Sequence, residues 1–410
     1  MSEAAASPRS LRGLDWLNFF VADVQTGFGP FIAVYLTTHR WTQLDIGAVL
    51  SLGTIVSMAS QLPAGALVDW MPSKRLAAGL AIAAITASAL LFVAMPTQAG
   101  IGLAEILHGI ASCMLNPAIA AITITLVGTA TLGERLGRNA RFASIGNGTA
   151  AAVMGTCGYY LAAGSVFWLT ALLCLPSLLA LSRIERRRPR MPLQGGEHGT
   201  DTGSFGSLRA LIKDRRLLAF MACIILFQMA DSAMLPFVGN EIAGKAGSIA
   251  NLVIAACIVW PQFVVAVLSP WVGRSAQSRG RRFILLLGFA AEPLRGLLFA
   301  LTASPLPVIL TQGLGGLSAA AIGVGLPLVA ADIARGRGHF NMIMGAIGLA
   351  GGLGATLSTA AAGAIAETSG ARFAFLTLAG IGILGTVLVF FLMPETRPDA
   401  GVVVPPVSGA

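Results

Sequence analysis

The chain has 410 residues, 55% of them hydrophobic and 11% charged, and its formal net charge is +9. That charge content lies far below the roughly 25% of an ordinary soluble domain, and a soluble fold could not clothe so much apolar surface. The basic excess does not mark a nucleic-acid binder either, because the cations are spread between apolar runs rather than gathered on one face of a soluble domain.

A helix needs about 20 mostly apolar residues to cross the hydrocarbon core. Twelve such runs begin near residues 14, 43, 76, 99, 142, 165, 217, 250, 283, 306, 341 and 372, and the alternating period of a membrane barrel is absent. The pattern predicts an all-α polytopic membrane protein with twelve transmembrane helices. A short tail, residues 1–13, precedes a first six-span bundle at 14–183. A basic, then Gly- and Ser-rich linker covers 184–215, a second bundle 216–394, and a tail 395–410. The first run carries Asp23 and lacks a clear small-residue cleavage site, so it does not read as a cleaved signal peptide.

With the N-terminus placed in the cytoplasm, nearly all of the 27 Lys and Arg fall in the tails and inner loops. Arg40, Lys245 and Arg372 fall outside, and Arg295 falls within a span. The positive-inside rule then puts both termini in the cytoplasm. Cys113, Cys157, Cys174, Cys223 and Cys257 all lie in predicted spans without metal-ligand spacing, so they read as small packing residues.

The two halves are related. Run one holds "FFVADVQTGFGPF" and run seven "LFQMADSAMLPF", which sets Ala22-Asp23 against Ala230-Asp231. The link after run two, "VDWMPSKRL", has its counterpart after run eight in "VGRSAQSRGRRF". Parallel six-span repeats are a transporter design with the substrate site between the repeats.

The stretch "GALVDWMPSKR" resembles the loop between the second and third helices of the major facilitator superfamily, whose pattern is Gly-x-Leu-x-Asp-Arg-x-Gly-Arg-Lys/Arg. Gly65, Leu67, Asp69, Lys74 and Arg75 match, whereas Trp70, Pro72 and Ser73 depart. The span count, the linker and the repeat after run eight extend the resemblance over nearly the whole chain. It implies the major facilitator fold, two pseudo-symmetric six-helix bundles around a central cavity. It also implies a gating loop in which Asp69 helps latch the halves on the cytoplasmic side, with Gly65, Lys74 and Arg75 around it. The plainer alternative is that Asp69 balances local positive charge.

Charges within spans cost about 2.5–3.5 kcal/mol each at mid-membrane, so they pair, face water or stay protonated. Asp23 and Asp231 stand at equivalent places in runs that line the cavity in the resembling fold, with Gln228 one turn before Asp231 and Gln25 and Asn240 as lesser contributors. They are the first candidates for substrate or proton handling; the alternative is that they cap helix breaks. Glu105 and His108 lie one turn apart in "EILHG", where exporters of the superfamily carry Arg and Gln, and both are side chains able to titrate near neutrality once desolvated. They too are candidates for proton or substrate handling, against a packing role. In "EPLR", Glu292 and Arg295 are placed to neutralise each other as an intramembrane ion pair. The run-five exporter signature is also absent, with Tyr159 and Tyr160 at its Gly-Pro place, while glycines 146, 155 and 158 of run five and 345–354 of run eleven suggest sliding helix contacts.

No phosphate-binding loop is present, and four histidines offer no metal or nucleophile constellation, so neither ATP nor enzymatic chemistry is expected. No cofactor is implied. The expected function is secondary active transport by alternating access in the inner membrane, coupled to protons, by a monomer that exports a small cationic or amphipathic compound. Uptake of a small polar metabolite and a non-transporting membrane sensor are the alternatives.

Overall fold

The computed structural model describes residues 6–26, 30–162, 164–185, 213–245, 250–302, 304–335 and 339–397, and among them the only regular structure is helical. In the first half, α1 (Pro8–Thr26) and α2 (Pro30–Thr38) share the first span. They are followed by α3 (Gln43–Trp70), α4 (Lys74–Ala94), α5 (Gln98–Val127), α6 (Leu132–Tyr160) and α7 (Ser165–Ser182). In the second half, α8 (Arg215–Asp231) and α9 (Met234–Lys245) share the seventh span. Next come α10 (Ala250–Ser278), α11 (Arg281–Leu301), α12 (Pro305–Ala334), α13 (Phe340–Ser369) and α14 (Ala371–Leu392).

This is the twelve-span architecture that the apolar runs predict. Ten helical segments of the described residues are long and apolar enough to span a membrane by themselves. The two other spans fall short for identifiable reasons. In the first, α1 carries Arg9, Arg12, Asp15 and Asp23 and α2 is too short, while α6 carries Glu134, Arg135, Arg138, Asn139 and Arg141 in its first three turns. For the same reason α6 begins at Leu132, ten residues ahead of its apolar run: a helix can continue past the hydrocarbon where an apolar window cannot.

Helix starts follow short-range capping chemistry. The side chains of Thr42, Ser73, Thr97 and Asp214 accept from backbone N–H groups at the starts of α3, α4, α5 and α8. Side chains such as Leu80, Leu172, Leu179, Leu310 and Phe391 stay exposed on the outer surface, which for a bilayer protein is the lipid-facing surface.

Within the first half α1 packs on α6 and α7, α3 on α5, and α4 on α5 and α7. In the second, α10 and α11 pack on α12, and α14 packs on α8, α11 and α13. Across the halves the main contacts are α3 with α13 and α6 with α10. The core reflects this joining: Ala121, Ile124, Leu132 and Leu136 of the first half cluster with Phe220, Val272, Leu328 and Phe340 of the second. These residues lie toward the end of the bundle at which α3, α5 and α10 finish and α4, α6 and α13 begin, here called the basic end.

Candidate functional site

The last turn of α3 is held from two sides. The Lys74 ammonium, nearly buried, donates to the carbonyl oxygens of Val68 (2.7 Å), Asp69 (2.9 Å) and Met71 (3.0 Å), covering acceptors that a helix end leaves open. The Asp69 carboxylate crosses to the other half and accepts from the Asn341 backbone N–H (3.1 Å), the Asn341 side-chain amide (2.7 Å) and the Met342 backbone N–H (2.8 Å). Asn341 and Met342 belong to the first turn of α13, where donors are unpaired and the helix dipole favours an anion. Asp69 is only 7% exposed, so these bonds are sheltered from water. Gly65, one turn back, lets the two backbones touch, since a Cβ there would strike the Asn341 carbonyl. Arg75 reaches Ser182 O at 3.3 Å and ties α4 to α7 within the first half.

The repeat-related contact is built differently. Gly273, the counterpart of Asp69 in "VGRSAQS", packs its backbone on Gly133 at the start of α6, and Gly137 packs on the Ser269 carbonyl. Gln277 adds a bond from Nε2 to Thr129 O (3.1 Å) and another to Ala130 O. Thus one contact is a charged cap and the other a glycine seam. Sequence reading names glycines in runs five and eleven as the sliding surface. Gly345, Gly348 and Gly352 of α13 do meet Gln61 and Met58 of α3 across the halves, whereas Gly146 meets Phe19 within the first half. The contacts of Gly155 fall outside what is described.

Two ionic clusters at the basic end went unread in the sequence. Asp15 of α1 accepts from Arg135 (2.6 Å) and Arg138 (2.8 Å), and Arg135 Nε donates to Asn139 Oδ1 at 2.9 Å. The spacing of Arg135 and Arg138 on one helix face was the available signal. In the second half, Asp332 binds Arg281 (3.1 Å) and Arg335 (3.3 Å), while Glu395 accepts from the Arg281 and Arg282 backbone N–H groups and so caps α11.

Among the charges within spans, Arg295 of α11 is shared by two carboxylates. Its Nη1 lies 2.5 Å from Asp231 Oδ1 and 3.0 Å from Glu292 Oε2, with the guanidinium 5% exposed, Glu292 1% and Asp231 34%. The expected pair is therefore a triad, with Asp231 turned onto Arg295. Gln228 is half-buried and packs against Gly354 of α13. Glu105 is buried, its Oε1 has no hydrogen-bond partner, and its Oε2 stands where a Cβ on Gly53 of α3 would lie. His108 meets Ser112 Oγ at 3.1 Å. The side chains of Asp23, Gln25 and Asn240 lie outside the described residues.

Between the halves is a cavity of about 450 Å³. The first half lines it with Asn18, Asn116, Thr123, Asn139, Ser144 and Asn147 set among apolar residues such as Val21, Ile119 and Leu136, and the second with Val265, Ile322, Leu326, Pro327, Met344 and a single amide, Gln262. Ser144 donates to Gln262 Oε1 at 2.6 Å across the wall. Asp231, Gln228, Glu105 and His108 do not line this cavity.

A sequence model described as the Major Facilitator Superfamily matches residues 15–260 and 246–407. The uncharacterised MFS-type transporter Rv2456c of Mycobacterium tuberculosis (strain ATCC 25618 / H37Rv) is 37% identical over 399 residues, 96% of this chain and 95% of the relative. Two solved structures share the architecture. The E. coli fucose:proton symporter FucP superposes with a TM-score of 0.74 at 15% identity, covering 94% of this chain and 98% of its own. The human organic anion transporter MFSD10 gives 0.71 at 18%, covering 93% and 100%. At such identities these two structures speak for the fold alone.

Proposed function

The chain belongs to the major facilitator superfamily, and on that premise we propose that it is a proton-coupled secondary transporter carrying a small solute by alternating access. The basic end faces the cytoplasm of the inner membrane, with both termini on that side, a reading supported by the distribution of Lys and Arg. In that orientation the Asp69 cap and the glycine seam close the cytoplasmic gate, and releasing both opens it. Gly65 allows the close approach, Lys74 fixes the end of α3, and Arg75 braces α4.

The observation that carries the coupling is the triad. Two carboxylates share one guanidinium, so with all three ionised the cluster bears one net negative charge inside the bilayer, and binding one proton neutralises it. Asp231 is the most exposed member of the triad, and we assign the proton exchange to it, with Arg295 and Glu292 held together as a pair. Buried Glu105, with His108 one turn on, is a second proton-handling position in the other half, and Asp23 is the repeat-related partner of Asp231. Gln228 lies one turn from Asp231 and orients what binds there. The apolar wall of the cavity supports export of an amphipathic compound over uptake of a fully polar metabolite, whose hydroxyls would be left without partners on that side.

The test is flux into proteoliposomes across a pH gradient, with solutes chosen by a growth screen of a deletion strain. Asp231→Asn should abolish gradient-driven flux while preserving solute exchange without a gradient, and Asp231→Glu should move the pH optimum. Unchanged gradient-driven flux in Asp231→Asn refutes the assignment of coupling to the triad.

A further inference from the structure

The cavity has two unlike walls: the first half supplies most of its hydrogen-bonding side chains, set among apolar ones, and among the described residues neither wall is charged. Every side chain of the first half that offers hydrogen bonds to it is an amide or a hydroxyl, and the second half faces these with aliphatic side chains, Gln262 excepted. No Asp, Glu, Lys or Arg is among the described residues that line it. The nearest link to charge runs through Asn139, whose amide is already committed to Arg135 and to Thr123 Oγ1 (3.0 Å). Three groups remain uncommitted among the described residues. Asn116 makes no side-chain hydrogen bond and is exposed to the cavity, Asn18 uses its Nδ2 on Leu14 O (2.7 Å) but keeps Oδ1, and Gln262 keeps Nε2.

An ion entering such a site would lose water without gaining a countercharge from the described lining residues, a cost that neutral dipoles do not repay. A fully polar solute would leave its second face unsatisfied. We infer that this cavity takes an uncharged amphipathic solute, whose hydrogen-bonding edge lies on α1, α5 and α6 and reaches Gln262 of α10, and whose apolar face lies on the aliphatic side chains of α10 and α12. The uncommitted set, one carboxamide with both ends open, one acceptor and one donor, fits a solute edge presenting both donors and acceptors, as neighbouring hydroxyls or an amide do. This assignment rests on reading the cavity as the transport site, and it narrows the cationic or amphipathic compound expected from sequence to the neutral amphipathic kind.

The experiment compares three probes with one aromatic body: a naphthyl glucoside, naphthylmethylammonium and naphthoate. Each is titrated by fluorescence against purified protein in nanodiscs, with empty nanodiscs subtracted. The glucoside should bind saturably and at least tenfold tighter than either ion, and Asn116→Leu should weaken it about tenfold while Asn116→Gln retains most of the affinity. An ammonium or carboxylate probe that binds as tightly as the glucoside overturns the inference, as does absence of saturable glucoside binding. Flux of the glucoside in proteoliposomes is scored separately. Binding without flux upholds the solute class and overturns the transport reading instead.

Discussion

Replacing Asp69 by Asn tests the cytoplasmic latch with the least change of shape. The carboxylate receives three hydrogen bonds from the first turn of α13, at 2.7–3.1 Å, with the residue 7% exposed. An asparagine keeps one acceptor oxygen and turns the other into a donor. The Asn341 amide can reorient to meet that donor, because its own Oδ1 is buried without a partner. What cannot be recovered is the charge at the helix start and one charge-assisted bond, together worth about 2 kcal/mol. That sum moves the balance between closed and open gate roughly thirtyfold toward open. Spin labels at Pro72 and Ser278, exposed at the basic end on opposite halves, read the gate directly in a background without native cysteines. Asp69→Asn should add a population at longer distance and slow transport several-fold, while membrane insertion is unchanged. A distance distribution and a flux identical to those of the parent protein would mean that Asp69 only balances local charge.

The seam between α6 and α10 should be equally sensitive to bulk: in Gly137→Val the added carbons would strike the Ser269 carbonyl, so the same spin labels should report a gate wedged open. Orientation is checked by cysteines at Gly196 and Gly247, both outside the described residues; only the second should react with an impermeant external thiol reagent in intact cells, and the reverse pattern would invert the topology. Glu395→Ala removes the cap on α11 and should lower Tm by a few degrees without altering the pH dependence of transport.

Span number, the division into halves and the loop around Asp69 were legible in the sequence because each depends on local composition or on a short spaced pattern. Bilayer thickness forces apolar runs of one length, and the close approach of α3 to α13 forces Gly65. Partners were less legible. Arg295 was readable as the neighbour of Glu292 because helical spacing joins them. That Asp231, 64 residues away, shares the same guanidinium depends on how α8 packs near α11. Asp15 escaped notice for the same reason: its cations lie on α6, more than a hundred residues on.

The repeat explains both what pseudo-symmetry could predict and where it stopped. Equivalent segments follow equivalent paths, so the ends of α3 and α10 each meet the start of a helix in the opposite half. The residues at those meetings have diverged, Asp69 in one and Gly273 in the other, so equal backbone placement yields unlike contacts. A carboxylate holding backbone N–H groups depends on direction and charge, and breaks when the donors move away. The glycine packing itself has no directional bond, those of Gln277 at its edge apart, and lets two backbones slide while still touching. The same divergence separates the cavity walls: the first half supplies nearly all the amides and hydroxyls, the second aliphatics and Gln262. On the proposed reading, a solute seated there hydrogen-bonds mainly to the first half, with Gln262 the one such group of the second, so relative movement of the halves breaks mostly packing contacts on the second side.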